Sequence, residues 1–174
     1  IFVGEQYQYD RAVEVLHQSN YLKKIVAIDP AIQLSGIDAS ISFDAFIKHG
    51  KESTTADKQL EERLSHLSLQ DLTTLIYTSG TTGEPKGVII RQSNYQQAFH
   101  IHNIRLTNVS DKDLSLSFLP LSHIFERAWS YFCMLNNIVV AVTKDPKKIQ
   151  SGLKEVRPSY MCAVPRFWEK IYMG

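Results

Sequence analysis

The sequence predicts an α/β fold, with a doubly wound, largely parallel sheet and flanking helices. Runs of β-prone residues alternate with helical stretches along most of the chain, an order that is typical of βαβ units. The connections between these runs are mostly short, as expected for packed layers. With 174 residues, 44% of them hydrophobic, the chain is long enough to bury a core.

The first elements are predicted to form one βαβ unit. The strands are "IFVG" (1–4) and "KKIVAIDP" (23–30), and "QYDRAVEVLHQS" (8–19) is the helix between them. Residues 48–58 are polar and indicate a surface connection. A helix then covers 57–69, and its three leucines form one stripe that should pack on the body of the protein: Leu60, Leu64 and Leu67.

Two strands and a helix follow around a glycine-rich loop. The strands are "LTTLIYT" (72–78) and "GVII" (87–90). Ser93 is the predicted cap of a helix that runs to about Ile104. The next strand is "LSLSFLP" (114–120).

The C-terminal third continues the alternation. A helix over 122–135 precedes a buried strand over 138–142, and Asp145 with Pro146 begins another helix over 146–156. A strand over 159–164 follows, and Pro165 opens the last helix. The residues of the 122–135 helix expected to face inward are Ile124, Phe125, Ala128, Trp129, Phe132 and Leu135.

Composition excludes several function classes. The net charge of +1 gives no reason to expect a nucleic-acid partner. Cys133 and Cys162 lack metal-site spacing and indicate reduced core thiols in a cytoplasmic protein. No apolar run reaches the ~20 residues of a transmembrane helix, and no signal peptide is visible. Peripheral contact with the inner face of a membrane and the oligomeric state stay open.

The stretch "YTSGTTGEPKG" (77–87) carries the strongest functional signal. Its four hydroxyl residues and three glycines follow a strand directly, so several backbone N–H groups and hydroxyls can converge on one anion. Lys86 adds a positive charge for phosphate oxygens. The stretch is not a Walker A loop, because Pro85 and Gly87 stand where that motif needs glycine and a hydroxyl. A plain Ser/Thr-rich turn is the alternative, and the order of the residues favours a nucleotide loop.

"YTSGTTGEPKG" resembles the phosphate-binding signature of the adenylate-forming enzymes. "LPLSHIFER" (119–127) and "VPRFWEKIY" (164–172) are similar to the long-chain fatty acyl-CoA synthetase branch of that family. Gln92 replaces the histidine that the family usually has after the signature. The family's later motifs, including the ribose-binding Asp and the lid lysine, have no counterpart in this sequence. The resemblance therefore implies that residues 1–174 are a fragment of the AMP-binding N-terminal domain, without the C-terminal lid.

The resemblance implies ATP-dependent activation of a long-chain fatty acid to an acyl-adenylate, followed by transfer to coenzyme A. Lys86 would act on the leaving phosphates and His123 would lie beside the acyl carboxylate. Thr78 would also help to place Mg²⁺. The implied nucleotide-binding residues are Thr78, Ser79, Gly80, Thr81, Thr82, Gly83 and Lys86.

Other interpretations of these residues stay open at the level of the sequence. His123 is either a site residue or a capping histidine, and Trp168 either a core residue, which is favoured, or part of an acyl tunnel. Glu126 and Arg127 are expected to form an ion pair or a solvated face. The alternative functions are an aryl- or amino-acid adenylating domain and a non-catalytic nucleotide- or acyl-binding protein.

Overall fold

The computed structural model describes residues 1–79, 83–143 and 145–173. Within these residues the chain is an α/β protein, as the sequence predicts, with parallel strand pairs and flanking helices. It divides into two compact units, Ile1–His66 and Leu67–Gly174.

The first unit is built on a three-stranded parallel sheet. Its strands β1 (Phe2–Val3), β2 (Ile25–Ala27) and β3 (Ser40–Ser42) lie in the order β1-β2-β3. Helix α1 (Gln6–Gln18) packs on β1 and β2. The phenol of Tyr9, which is 1% exposed, lies 2.8 Å from the Ser35 hydroxyl and donates to the Ser40 hydroxyl at 2.9 Å. The predicted βαβ unit is therefore present, and β3 extends it.

Two helices complete this unit and correct the sequence prediction. Helix α2 (Phe43–Glu52) covers part of the stretch that was expected to be a polar connection. The Ser42 hydroxyl accepts a hydrogen bond from the Ala45 N–H at 3.2 Å and caps the helix. Helix α3 (Ala56–Ser65) has no buried residue. The expected packing of the leucine stripe is wrong, since Leu60 and Leu64 of this helix are 56% and 54% exposed, and Leu67, which lies beyond its end, is 58% exposed.

The second unit begins with an antiparallel hairpin. Strand β4 (Leu72–Thr78) pairs with β5 (Lys86–Arg91), and Thr78 lies opposite Lys86 in the register. Helix α4 (Gln92–Arg105) starts directly after β5. Ser93 lies inside this helix and is not its cap. Instead the Arg91 N–H donates to the side-chain Oδ1 of Asn94 at 2.8 Å, so the helix is capped at Arg91, two residues earlier than predicted.

A second parallel pair forms the centre of this unit. Strand β6 (Leu114–Ser117) lies beside β7 (Val139–Val142), and helix α5 (Ile124–Leu135) connects them. Trp129, Phe132 and Cys133 form the buried face of the helix with two polar residues, Glu126 and Ser130. The predicted inward face is wrong in part. Three residues that were expected to be buried are exposed, by 43% at Ile124, 54% at Phe125 and 59% at Leu135.

The C-terminal part consists of helices and one short β-bridge. A 3-10 turn, Pro146–Lys148, leads into α6 (Ile149–Val156), and α7 is Pro165–Met173. Between them the predicted strand is reduced to a single parallel bridge from Tyr160 to Ser115 of β6. Across the described ranges no helix combines the length and the hydropathy that crossing a membrane requires.

Candidate functional site

The two strands of the hairpin hold the ends of the predicted phosphate loop. Thr78 is the last residue of β4 and Lys86 the first of β5, and the two are partners in the antiparallel register. Thr78, Ser79 and Lys86 are all exposed. Hydroxyls and an ammonium group are therefore available to a ligand at this end of the hairpin. Gly80, Thr81 and Thr82, also assigned to the nucleotide site, lie outside the described residues.

At two positions of the motif the structure explains why the residue is glycine. Gly83 has a φ of +85°, in the left-handed region that a side chain would strain. At Gly87 a Cβ would meet the Tyr77 ring at 3.4 Å. The ring of Tyr77 thus lies across the neighbouring strand, where a residue without a side chain gives it room.

His123 stands at the entrance to helix α5, as expected. Its N–H donates to the Pro120 carbonyl at 3.0 Å, and its own carbonyl accepts from the Arg127 N–H at 3.2 Å. The imidazole makes no capping hydrogen bond and is exposed. Of the two sequence interpretations, the capping histidine loses support, since the backbone of this residue caps the helix and the ring does not.

The expected ion pair between Glu126 and Arg127 is wrong. The Arg127 guanidinium donates from Nε to the Leu121 carbonyl at 2.6 Å and from a terminal nitrogen to the Thr74 hydroxyl. Thr74 is on β4, so this side chain joins the hairpin to the turn before α5. Sequence reasoning missed the contact because the two partners are 53 positions apart.

Glu126 points the other way, into the core. It is 0% exposed, and among the described residues neither carboxylate oxygen has a partner in hydrogen-bonding geometry. Burial raises the pKa of this carboxyl above its ordinary value, while the Ser117 hydroxyl, the Leu119 backbone and the Ser130 hydroxyl act in the opposite direction. A carboxyl in this position favours its neutral form and is not part of a solvated face.

An apolar groove adjoins the start of helix α5. It has a volume of about 410 Å³ and lies between α4, α5, the segment after α6 and α7. Trp168 lines it and is 49% exposed, so the favoured interpretation of this residue as core is wrong. Aromatic and aliphatic side chains dominate the walls, including Ile101, Phe125, Trp129, Met161 and Trp168. Such a groove suits an apolar ligand.

The two cysteines are core residues, as predicted. Both are buried and neither is in a disulfide. Burial raises the pKa of Cys133 to about 11 and that of Cys162 to about 12. Thiols of this kind are poor nucleophiles at neutral pH. In the part of the chain that the structure describes, no three His, Cys, Asp or Glu residues are grouped to hold a metal ion.

Comparison with known families decides the assignment. The model of the AMP-binding enzyme family matches residues 3–173. The chain belongs to the AMP-binding enzyme family. Its members form adenylates from ATP, and the acyl-CoA synthetases among them also use coenzyme A.

Two relatives of this AMP-binding chain are named as acyl-CoA synthetases or ligases. It is 31% identical to long chain acyl-CoA synthetase 3 of Arabidopsis thaliana over 167 residues, which cover 90% of this chain and 24% of the relative. It is 33% identical to the long-chain-fatty-acid–CoA ligase FadD15 of Mycobacterium tuberculosis over 154 residues, which cover 85% of this chain and 24% of the relative. The chain therefore spans about a quarter of the length of these two relatives.

The fold of this AMP-binding chain also occurs among solved structures. A red-emitting luciferase from Phrixothrix hirtus superposes with a TM-score of 0.67 at 17% identity. That match covers 92% of this chain and 30% of the other. At this identity the likeness concerns the fold alone.

Proposed function

We propose that this chain is part of the large N-terminal domain of a long-chain fatty acid–CoA ligase and carries its phosphate loop. The observation that supports this most directly is the hairpin, which sets Thr78 and Lys86 opposite each other at the two ends of "SGTTGEP". In the family this signature binds the phosphates of ATP. An exposed lysine at the start of a strand can stabilise the negative charge that develops on a leaving group.

The reaction follows from the chemistry of carboxylates. A fatty acid carboxylate is anionic and a poor electrophile, so an acyl group must first be activated. The carboxylate attacks the α-phosphorus of ATP, pyrophosphate leaves, and the thiol of coenzyme A then displaces AMP from the acyl-adenylate. Charge develops on the leaving phosphates, so positioning and electrostatic stabilisation supply most of the catalysis. Lys86 would stabilise that charge, and the loop hydroxyls would orient the β- and γ-phosphates.

Mg²⁺ would bind to the protein together with ATP. The described residues offer no carboxylate cluster for a resident ion, and Mg²⁺ commonly binds through substrate phosphates with only one or two protein oxygens. The exposed Thr78 hydroxyl at the end of β4 fits as one of these oxygens. Mg²⁺ would neutralise phosphate charge beside Lys86.

The apolar groove supports an acyl substrate. Its lining includes Phe125, two residues after His123 in the sequence, and Trp129 and Trp168. His102 and Arg105 add two basic side chains to an otherwise largely apolar wall. In this proposal the alkyl chain occupies the groove and the carboxylate faces the exposed His123 imidazole. A groove lined by aromatic and aliphatic side chains favours a fatty acid over an amino acid, whose ammonium group would need a polar partner.

The test is substrate-dependent exchange of pyrophosphate into ATP by the full-length protein. We expect exchange with long-chain fatty acids, and acyl-CoA once coenzyme A is added. Exchange that depends on an aryl or amino acid instead would move the protein to another adenylating class. Binding of ATP or fatty acid with no exchange for any acid would show a non-catalytic binding protein and contradict the proposal.

A further inference from the structure

Arg127 makes contacts that neither the phosphate loop nor His123 explains. Its side chain donates to two acceptors from different parts of the chain, the Thr74 hydroxyl and the Leu121 carbonyl. Thr74 is four residues before Thr78, the end of the strand that enters the phosphate loop. Leu121 is two residues before His123. One guanidinium thus joins the strand of the phosphate loop to the turn that presents the histidine.

The chemistry of arginine suits this contact. A guanidinium is planar and presents several N–H donors in a fixed fork, so two acceptors at different angles can be held at once. Arg127 is only partly exposed; its bond to the Thr74 hydroxyl is partly buried, and its bond to the Leu121 carbonyl lies at the surface. Its backbone N–H also donates to the His123 carbonyl at 3.2 Å. The residue therefore contacts the histidine turn through both its side chain and its backbone.

The same turn is held from the opposite side by the core. Glu126 is completely buried and lies near Ser117 and the Leu119 backbone, at the end of β6 where the turn begins. Between these anchors the His123 imidazole is exposed and has no capping bond. The position of the ring therefore depends on the position of the turn, and Arg127 links this turn to β4.

We propose that Arg127 is a positioning residue for adenylation, which holds the turn bearing His123 against strand β4 and so aligns the acyl carboxylate with the phosphates. This inference rests on the proposed function. Attack on phosphorus requires an in-line approach, and a displacement of about 1 Å can slow an enzymatic step by about 100-fold. The loop residues would still bind ATP if the turn moved. Loss of the Arg127 contacts should therefore lower kcat and leave KM for ATP nearly unchanged.

The experiment uses the full-length protein and the acceptor on β4. Thr74→Val removes the hydroxyl with little change of shape, and Thr74→Ser keeps it. We expect Thr74→Val to lower kcat of fatty-acid-dependent exchange by roughly 10-fold and Arg127→Ala by roughly 10- to 100-fold. KM for ATP should stay within about 2-fold of the wild type, because the loop itself is intact. Thr74→Ser should restore kcat, and Arg11→Ala, in an exposed pair with Glu14, should leave it unchanged.

A double variant separates positioning from general destabilisation. If Arg127 acts through Thr74, adding Thr74→Val to Arg127→Ala should slow exchange little further. Equal kcat for Thr74→Val and Thr74→Ser, or a loss that only follows the melting temperature, would overturn the inference. A wild-type protein that catalyses no exchange with any acid would overturn the proposed function as well, and the two failures are distinguished by that measurement.

Discussion

Lys86 is the residue whose removal should lower the rate of acyl-adenylate formation without lowering the stability of the fold. Its side chain is exposed at the start of β5 and belongs to no core cluster. Losing one charge-assisted contact that strengthens in the transition state costs on the order of 2–4 kcal/mol, or roughly 30- to 1000-fold in rate. We therefore expect Lys86→Ala in the full-length protein to slow acyl-adenylate formation by that factor, measured in single-turnover experiments, with little change in melting temperature.

The matched control for this change is Lys112→Ala. Lys112 is also an exposed lysine of the second unit, and it lies in the connection before β6. Its removal should leave both the rate and the melting temperature unchanged. Near-normal adenylation by Lys86→Ala would show that the hairpin loop does not hold the leaving phosphates.

Glu126 should make stability depend on pH. Because burial raises the pKa of this carboxyl above its ordinary value of 4.5, the folded protein keeps the proton at pH values where the unfolded chain has released it. The stabilising contribution is complete below the unfolded pKa and is lost as the pH rises through the folded pKa. Glu126→Gln carries no such penalty, so its melting temperature should improve relative to the wild type as the pH is raised from 5 to 8.

Thermal unfolding of the two proteins at several pH values checks this prediction. Within the part of the chain that the structure describes, Glu126 has no ion pair, since Arg127 contacts Thr74 and Leu121. A difference in melting temperature that is constant with pH would indicate a carboxyl with an ordinary pKa. A difference that turns against Glu126→Gln at high pH would indicate a stabilised carboxylate.

Helix α5 shows how one element can serve both the core and the site. Trp129 is 8% exposed, donates from Nε1 to the Ser115 hydroxyl at 2.9 Å, and lies 5.6 Å from the Phe132 ring between centroids. Trp129→Ala should therefore lower the free energy of unfolding by about 3–5 kcal/mol. Trp168→Ala removes the same kind of side chain from a site that is 49% exposed. It should cost less stability while weakening the binding of long acyl chains.

Denaturant unfolding and KM for fatty acids of different length distinguish these two tryptophans. A large loss of stability in Trp168→Ala would mean that this residue is part of the core after all. An unchanged KM for every chain length would remove it from the acyl groove. The pair thus tests the division of α5 and α7 between packing and ligand binding.

The elements that the sequence predicted well are those with a strong local signal. β4 and β5 follow from β-prone residues on both sides of a glycine-rich stretch, and α7 begins at Pro165 as expected. α2 was missed because polar residues at its C-terminal end, including Lys48 and Lys51, resemble a connection. The face of α5 was predicted wrongly because a carboxylate such as Glu126 is normally assigned to solvent.

Only part of the candidate site could be proposed from the sequence. The signature stretch and His123 lie in short stretches whose residue order is informative by itself, and their roles stay predictions. The link from Arg127 to Thr74 spans 53 positions, and no local pattern records such a tertiary contact. The apolar groove likewise combines residues from α4, α5 and α7. Hydrophobic periodicity identifies each helix but does not indicate which apolar side chains stay open to a ligand.

At the scale of the molecule, the 174 residues should not catalyse the reaction by themselves. They carry the signature stretch, His123 and the apolar groove. The resemblance assigns the ribose-binding Asp, the second magnesium ligand and the lid lysine to motifs that these residues do not contain. Each missing contact that acts on the transition state costs on the order of 2–4 kcal/mol, and several together reduce the rate below detection. We therefore expect no release of pyrophosphate from ATP and palmitate above a blank without protein.

The comparison needs the isolated segment and the full-length protein at equal concentration, with circular dichroism to show that the segment is folded. Apolar side chains such as Leu75, Val88 and Ile89 of the hairpin are 45%, 44% and 52% exposed, so the segment is expected to self-associate and should be assayed at low concentration. Pyrophosphate release by the folded segment would contradict the prediction. It would mean that the phosphate loop and the histidine turn suffice for adenylation, and that alignment of the carboxylate needs only the elements that Arg127 joins.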